Sequence, residues 1–246
     1  MKKLLLDSAN IDEITLVSCT SAISGVTTNP SLMAKESKGD YNTRLTEIAM
    51  TLNHGAAKDK EKHLSVEVIT TDPIEIEEQA VELYDMLGSR NFPRIDLHIK
   101  VPVTIENLNI ITRLENRKIK VNATACMMPS QAKLAMDAGA SVVSFFYNRM
   151  KDGGDNAAAE TIAEFDRVRK GPQEWQAYGK SLSDYNDCKV ICGSIRTPED
   201  VTECWNHGAD AVTVPMRIVE LMMEHPQTDL AITRFQEDID KWLEKE

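Results

Sequence analysis

Short apolar runs alternate along this chain with longer stretches in which apolar residues recur at helical spacing. The short runs are rich in Val, Ile and Leu, which indicates buried β-strands. Eight strands are predicted, at residues 3–6, 23–27, 64–69, 95–101, 119–124, 141–146, 189–193 and 210–214. Since strands that alternate with helices form parallel sheets with short right-handed connections, the pattern predicts an α/β fold, a single (β/α)8 (TIM) barrel domain over residues 1–246.

Cap residues mark where several of the intervening helices begin. Asn10 is a good N-cap for the helical pattern 11–19. Asp72 and Pro73 place a cap residue before a proline in the first helical turn of the pattern 74–87. Two further helical patterns show similar start or stop signals, at 130–138 and 201–206. These boundaries fit helices that connect consecutive strands of the barrel.

The C-terminal segment, residues 229–246, is predicted to be an amphipathic helix added to the barrel. Its apolar side consists of Leu230, Ile232, Phe235, Ile239 and Leu243. Regular patterning is weakest at 54–63 and 151–187, and Gly171-Pro172 should break the helix in the second stretch. No interdomain linker is evident. An open doubly wound sheet is the alternative fold, and it is disfavoured because no GxGxxG motif follows the first strand.

Composition and charge exclude some classes of function. The chain has 246 residues, of which 42% are hydrophobic, enough for a substantial core. A net charge of −11 argues against nucleic-acid binding, which needs a basic face, although a few local cations could hold a small anion. No apolar run is long enough to span a bilayer, and the leucines at 4–6 are too few for a signal peptide. We expect a cytoplasmic protein with no nucleic-acid or membrane partner.

The cysteines give no sign of a disulfide or metal framework. Their number is five, no CxxC motif occurs, and the histidines do not complete a zinc spacing. The sequence therefore predicts reduced thiols, no metal and no cofactor.

Lys100 lies near the end of the apolar run 95–103, and Pro102 just beyond it stops regular strand pairing. A lysine held in an apolar setting tends to lose its charge, because burial penalises the ammonium form. A neutral amine is a nucleophile that can form a Schiff base with a carbonyl substrate. The alternatives are a lysine that extends to solvent or one that pairs with a carboxylate.

Polar side chains lie where the predicted strands end, and the active sites of barrels gather at this end. The candidates are Asp7, Thr27, Thr28, Asn29, Glu67, Lys100, Asn122, Thr124, Ser144, Phe146, Asn148, Arg149, Ser194 and Arg196. Each also has an ordinary structural interpretation: Asp7 could cap a helix, Asn29 could belong to a turn, and Arg196 could be a surface charge. The convergence of an amine, two carboxylates and two arginines at one barrel mouth nevertheless predicts a functional site.

These residues lie in blocks that resemble the transaldolase family, in particular its short branch, which also contains the fructose-6-phosphate aldolases. The blocks are Leu6-Asp7, Gly25-Val26-Thr27-Thr28-Asn29-Pro30-Ser31, Val66-Glu67-Val68, Ile99-Lys100-Val101-Pro102-Val103-Thr104, Asn122-Ala123-Thr124, Ser144-Phe145-Phe146-Tyr147-Asn148-Arg149 and Gly193-Ser194-Ile195-Arg196-Thr197. They run from the first predicted strand to the seventh, so the resemblance covers nearly the whole chain.

The resemblance implies a transaldolase in which Lys100 forms a Schiff base with a ketose phosphate, fructose 6-phosphate or sedoheptulose 7-phosphate. A dihydroxyacetone unit then passes to an aldose phosphate. By the same resemblance, Asp7 takes the proton of the C4 hydroxyl, and Glu67 and Thr124 hold the water that shuttles protons. The residues implied to surround the dihydroxyacetone unit are Thr27, Asn29, Asn122, Ser144 and Phe146. Those implied to clamp the phosphate are Arg149, Ser194 and Arg196, since the arginine fork suits bidentate contacts.

Two positions distinguish the branches of this family. By resemblance, transaldolases carry glutamate and phenylalanine where Glu67 and Phe146 stand, and the aldolases carry glutamine and tyrosine. Phe146 cannot hydrogen-bond a catalytic water, so transfer is favoured over simple cleavage. The sequence departs from the family pattern at Phe145, where proline is usual, and in the long segment 151–187. His98 is interpreted as a hydrogen-bonded core residue.

Alternatives from other classes stay open at this point. One is a fructose-6-phosphate aldolase-like lyase, and another is a barrel that binds sugar phosphates without catalysis. The phosphate-binding residues would hold a sulfonate equally well. The resemblance also implies a homo-oligomer, for which the short branch offers a decamer built from pentamers. The C-terminal helix could contact a neighbouring subunit in such an assembly or pack across its own barrel.

Overall fold

The computed structural model describes residues 2–57, 61–155, 157–170 and 187–244 and contains a closed barrel of eight parallel strands. Each strand pairs with the next, and β8 closes the barrel against β1. The strands are β1 (Lys3–Asp7), β2 (Ile23–Thr27), β3 (Lys62–Glu67), β4 (Ile95–Pro102), β5 (Val121–Cys126), β6 (Val142–Phe146), β7 (Lys189–Gly193) and β8 (Ala211–Val214). The predicted (β/α)8 barrel is confirmed, and each strand lies within two residues of its prediction.

Helices connect the strands and surround the barrel. In the described part of the chain they are α1 (Ile11–Ser18), α2 (Pro30–Met33), α3 (Tyr41–Gly55), α4 (Pro73–Leu87), α5 (Asn107–Asn116), α6 (Pro129–Asp137), α7 (Tyr147–Asp152), α8 (Ala158–Lys170), α9 (Pro198–Asn206), α10 (Met216–Met223) and α11 (Pro226–Leu243). The predicted caps form: Asn10 accepts hydrogen bonds from two backbone N–H groups of α1, and Asp72 does the same for α4.

Several helices were not predicted because their sequence signals are weak or distant. The α5 helix begins without any side-chain cap. In the stretch 151–187, where patterning is weakest, a helix was expected up to the break at Gly171-Pro172, and α8 extends to Lys170. The predicted helix break at 171–172 lies outside the described residues.

The strands bury apolar side chains on one face and direct polar side chains to the barrel axis on the other. On β4, Ile99 and Val101 belong to the main core beneath the helices, whereas Lys100 faces the interior. Four inward side chains form a separate apolar cluster, which consists of Leu5, Val142, Ile191 and Ala211. This apolar layer separates a cavity at the carboxyl ends of the strands from a second cavity at their amino ends, and Ile191 lines both.

The additional C-terminal helix is confirmed as α11, and of the two alternatives for its apolar side, packing across its own barrel does not describe the structure. Its apolar residues are exposed, including Phe235 at 70% and Trp242 at 66%. The apolar stripe that predicted the helix therefore does not serve as a contact with the barrel. Within the described ranges, the helices fall short of the length and apolarity needed to cross a membrane.

Candidate active site

Lys100 and Glu67 form an ion pair at the carboxyl end of the barrel. The two residues stand opposite each other in the pairing of β3 with β4. Lys100 Nζ lies 2.6 Å from Glu67 Oε2 and donates a 2.8 Å hydrogen bond to the backbone oxygen of Thr28. The lysine side chain is only 6% exposed. The apolar run around Lys100 belongs to its own strand, and the polar partners come from neighbouring strands. Its setting is therefore polar, and the alternative in which it pairs with a carboxylate describes the resting site.

Asp7 lies at the end of β1 in a chain of hydroxyl groups. Its Oδ1 accepts a 2.8 Å hydrogen bond from Thr27 Oγ1, which lies 2.6 Å from Thr213 Oγ1. Burial raises the pKa of the Asp7 carboxyl, although the positive charge of Lys100 and the Thr27 hydrogen bond oppose that shift. A half-buried carboxyl with a raised pKa is suited to accept and return a proton near neutral pH.

Asn122 is held from both sides by serine hydroxyls. Its Oδ1 accepts a 2.7 Å hydrogen bond from Ser144 Oγ, and its Nδ2 donates a 3.1 Å bond to Ser65 Oγ. Ser65 Oγ in turn lies 2.7 Å from His63 Nε2, deeper in the barrel. These contacts fix the orientation of the Asn122 amide at the floor of the cavity.

Thr124 lies on β5, as Asn122 does, and its hydroxyl group is buried. Among the described residues nothing hydrogen-bonds its Oγ1 atom, although buried polar groups normally have a partner. The next residue, Ala125, has φ of 64°, and the pairing of β5 with β6 shifts register here. A left-handed alanine is uncommon and costs energy. The irregularity interrupts the β5–β6 pairing between Ala123 and Cys126, on both sides of Thr124, which is typical of a bulge beside a functional site.

The rim of the cavity carries Phe146, Arg149 and Ser194. The guanidinium of Arg149 lies 4.9 Å from the centre of the Phe146 ring. Ser194 has φ of 61°, a conformation that non-glycine residues rarely adopt. Its backbone oxygen accepts a 2.9 Å hydrogen bond from Asn148 Nδ2, which also bonds Asp200 at 2.7 Å. The strained turn is therefore stabilised by buried polar contacts.

Arg196 stands apart from this rim. It forms a bidentate ion pair with Asp152, and both side chains are about half exposed. It is not among the residues that line the cavity. Its implied part in phosphate binding stays a prediction that would require Arg196 to leave Asp152.

The cavity has a volume of about 90 Å³ and brings most of the predicted site residues together. Ten of the predicted residues line it: Asp7, Thr27, Asn29, Lys100, Asn122, Thr124, Ser144, Phe146, Arg149 and Ser194. Glu67 contributes through its contact with Lys100, and its backbone oxygen accepts a hydrogen bond from the Tyr41 hydroxyl.

Sequence reasoning missed two residues of the site and the helix-capping contact of a third. Thr213 lines the cavity from β8, the strand for which no polar end residue was predicted. The inward position between two buried valines was the signal that could have found it. Tyr41 lies at the start of α3, which was not predicted. Asn29, which was predicted, caps α2 through its Oδ1 and so leaves its Nδ2 for a ligand.

Comparison with known proteins assigns the chain to a family. Residues 4–246 match the model of the family described as transaldolase/fructose-6-phosphate aldolase. The chain is 34% identical over 236 residues to a probable transaldolase of Dehalococcoides mccartyi, covering 96% of this chain and 97% of that protein. It is 35% identical over 241 residues to a probable transaldolase of Caldicellulosiruptor saccharolyticus, covering 97% of each. The chain belongs to the transaldolase/fructose-6-phosphate aldolase family.

A solved structure shows the same fold at lower similarity. The structure described as "Native KDPGal structure" aligns with a TM-score of 0.52 and 15% identity, covering 87% of this chain and 82% of that one. This likeness supports the barrel fold alone.

Proposed function

We propose that this protein is a transaldolase that moves a dihydroxyacetone unit from fructose 6-phosphate or sedoheptulose 7-phosphate to an aldose phosphate. The observation that carries the proposal is the buried Lys100 amine, 2.6 Å from the Glu67 carboxylate and in one cavity with Asp7 and Thr124. Schiff-base chemistry needs an amine, groups that move protons and a site for water. These four side chains supply them.

The first step is attack of Lys100 on the ketose carbonyl carbon. Glu67 is close enough to receive the proton that the ammonium group must lose before Nζ can act as a nucleophile. The carbonyl oxygen then leaves as water, and an iminium forms. The Thr124 hydroxyl, which has no partner among the described residues, would hold this water for the reverse hydrolysis.

Cleavage of the C3–C4 bond follows with Asp7 as the base. Asp7 takes the proton of the C4 hydroxyl, and the electron pair of the breaking bond moves to the iminium nitrogen. An aldose phosphate leaves, and an enamine of dihydroxyacetone remains on Lys100. The acceptor aldehyde then adds to the enamine and recovers the proton from Asp7, and hydrolysis frees the new ketose.

Phe146 favours transfer over release of free dihydroxyacetone. Its ring lines the cavity beneath Arg149 and offers no hydroxyl group to position a hydrolytic water. The enamine should therefore persist until an acceptor arrives. Arg149 and Ser194 at the rim would hold the phosphate of either sugar.

Borohydride trapping tests the Schiff base. Reduction in the presence of fructose 6-phosphate should convert the iminium to a stable secondary amine, and peptide mapping should locate the added mass on Lys100. Lys100→Arg should take no label, whereas Lys133→Arg, at an exposed ion pair on α6, should label as the parent protein does. Label on another lysine would overturn the assignment.

Acceptor dependence tests transfer against cleavage. Release of glyceraldehyde 3-phosphate from fructose 6-phosphate should require erythrose 4-phosphate. Comparable release without the acceptor would mean an aldolase. No release in either case would favour a barrel without this activity or one that takes another anionic tail.

We also propose a homo-oligomer, supported by the exposed apolar residues of α11. Light scattering on the full chain tests this, and a monomer at micromolar concentration would contradict it.

A further inference from the structure

The amino ends of the strands enclose a second cavity, of about 510 Å³, below the apolar layer of Leu5, Val142, Ile191 and Ala211. Its lining is charged and includes His63, Asp96, His98 and Lys120. The proposed reaction uses none of these side chains, and their one described connection to the substrate cavity is the hydrogen-bond chain from His63 through Ser65 to Asn122.

Three potential metal ligands converge in this lower cavity. His63, Asp96 and His98 each offer one ligand atom, and these atoms lie within 4.8 Å of one another. The barrel register explains the cluster: His63 pairs with Asp96 across β3 and β4, and Asp96 and His98 are two residues apart on β4. Inward positions of neighbouring strands therefore place them on one patch of wall, where the two imidazole rings stack at 4.5 Å.

Hydrogen bonds orient both imidazole rings. His63 Nε2 lies 2.7 Å from Ser65 Oγ, and Ser65 is itself held by Asn122. His98 Nδ1 lies 3.2 Å from the backbone oxygen of Asp96. His98 Nδ1 also lies 4.0 Å from Asp96 Oδ1, so this nitrogen faces the carboxylate of the cluster. Ser65 supports His63 as hydrogen-bond partners commonly support histidine ligands.

Charges of both signs line the lower cavity. Lys3, Lys120 and Lys189 are matched there by Asp96, Asp187 and Asp210. These six side chains add no net formal charge, so the chemistry of the ligand atoms decides which cation the site would hold.

We propose that His63, Asp96 and His98 form a binding site for a divalent transition metal of the zinc, cobalt or nickel class. Two imidazoles and one carboxylate suit these ions, whereas Mg²⁺ and Ca²⁺ prefer all-oxygen sites. Three protein ligands leave a coordination position open to the cavity. This site departs from the expectation that the protein binds no metal.

Lys120 competes with a metal for Asp96. Its Nζ lies 2.5 Å from Asp96 Oδ1, and its side chain is 51% exposed. A bound metal would displace the ammonium, which can extend into solvent. The two kinds of substitution should therefore change the metal affinity in opposite directions. Removing the Lys120 charge should tighten metal binding, whereas removing any of the three ligands should weaken it.

The test is titration of chelator-treated full-length protein with CoCl₂, followed by visible d–d absorption and calorimetry, and then repeated with ZnCl₂. We expect one ion per chain. His63→Ala, His98→Ala and Asp96→Asn should each lower affinity at least about tenfold, and Lys120→Met should raise it. The matched control is His207→Ala, since His207 is a half-buried histidine at the C-terminal end of α9 and does not line the lower cavity.

The outcomes are distinguishable from one another and from failure of the proposed reaction. Undiminished Co²⁺ binding in the His63→Ala/His98→Ala double variant would overturn the site, and so would absence of binding in both the parent protein and Lys120→Met. A misfolded variant cannot imitate the tighter binding expected of Lys120→Met. Lys100→Ala should keep the metal site intact, so loss of the Schiff base leaves this test unaffected.

Discussion

Two lysine–carboxylate pairs occupy opposite ends of the same part of the barrel. Lys100 and Glu67 join β4 to β3 at the carboxyl end, with N–O separation of 2.6 Å. Lys120 and Asp96 join the start of β5 to β4 at the amino end, with separation of 2.5 Å. The side chains of the first pair are 6% and 16% exposed, and those of the second are 51% and 27% exposed. The two pairs have the same chemical groups and similar geometry but different access to water.

Access to water decides what each pair can do. Removing one partner of a buried pair leaves a charge that water cannot reach, at a cost of about 3–5 kcal/mol. An exposed pair is worth only about 0.2–1 kcal/mol, because water and salt screen it. The carboxyl-end pair is thus held as a unit beside the substrate cavity, whereas the amino-end pair can exchange its lysine for another cation.

Replacing Lys100 should have the largest effect of any single substitution. Lys100→Ala is expected to lower turnover by about 10⁴-fold or more, as when a covalent nucleophile is removed elsewhere. The fold should persist, since the β4 ladder depends on backbone hydrogen bonds. Steady-state assays and far-UV circular dichroism check both points. Lys133→Ala removes an exposed partner of Asp137 and should leave turnover unchanged. Residual turnover near that of the parent would refute the Schiff-base role.

Asp7→Asn should reduce activity and increase stability, a combination that loss of the exposed Lys120–Asp96 pair should not produce. Loss of a general base costs about 10²–10⁴-fold in rate. The raised pKa of Asp7 means that the folded state favours the protonated carboxyl. The native protein therefore binds more protons than the unfolded chain between pH 3.8 and the raised pKa. The contribution of Asp7 to the free energy of unfolding falls as pH rises through that window.

Thermal unfolding at a series of pH values measures this effect. The melting temperature of Asp7→Asn should exceed that of the parent at neutral pH, and the gap should narrow as pH falls toward 3.8. The nearby charges that set this balance are Lys100, Lys35 and Glu67. A variant less stable than the parent at neutral pH would show that the carboxylate stabilises the site.

Arg149 and Arg196 should differ in their effects because, of the two, only Arg149 lines the cavity. Arg149→Ala removes charged hydrogen bonds worth about 1.5–3 kcal/mol, so KM for fructose 6-phosphate should rise roughly 10–150-fold. The KM for an unphosphorylated analogue should change little.

Arg196→Ala should raise KM less than Arg149→Ala does. Asp152→Asn, which frees Arg196 from its ion pair, should lower the inhibition constant of inorganic phosphate. Equal losses for phosphorylated and unphosphorylated substrates would argue against a phosphate role.

The sequence contained enough to place the strands and most of the site, but not the contacts between strands. The short apolar runs and the polar residues at their ends placed Lys100, Asp7 and Thr124 at one mouth, since parallel strands of a barrel end together. The ion pair of Arg196 with Asp152 was not predictable, because it depends on how the end of α7 meets the loop after β7. Thr213 was missed because a threonine between valines also fits an ordinary strand. The exposed face of α11 shows the same limit, since an apolar stripe does not specify which surface covers it.

Lys120→Met should have the smallest effect and completes the comparison from the amino end. Loss of the exposed pair should change the free energy of unfolding by less than about 1 kcal/mol. Asp96 stays partly hydrated, so its charge is not stranded as Glu67 would be. Urea unfolding at low and high salt measures the difference, which should shrink at high salt because screening already weakens the pair. A loss of about 3 kcal/mol or more, insensitive to salt, would show that the two pairs are energetically alike. Burial would then not be what distinguishes the catalytic end of the barrel from the other.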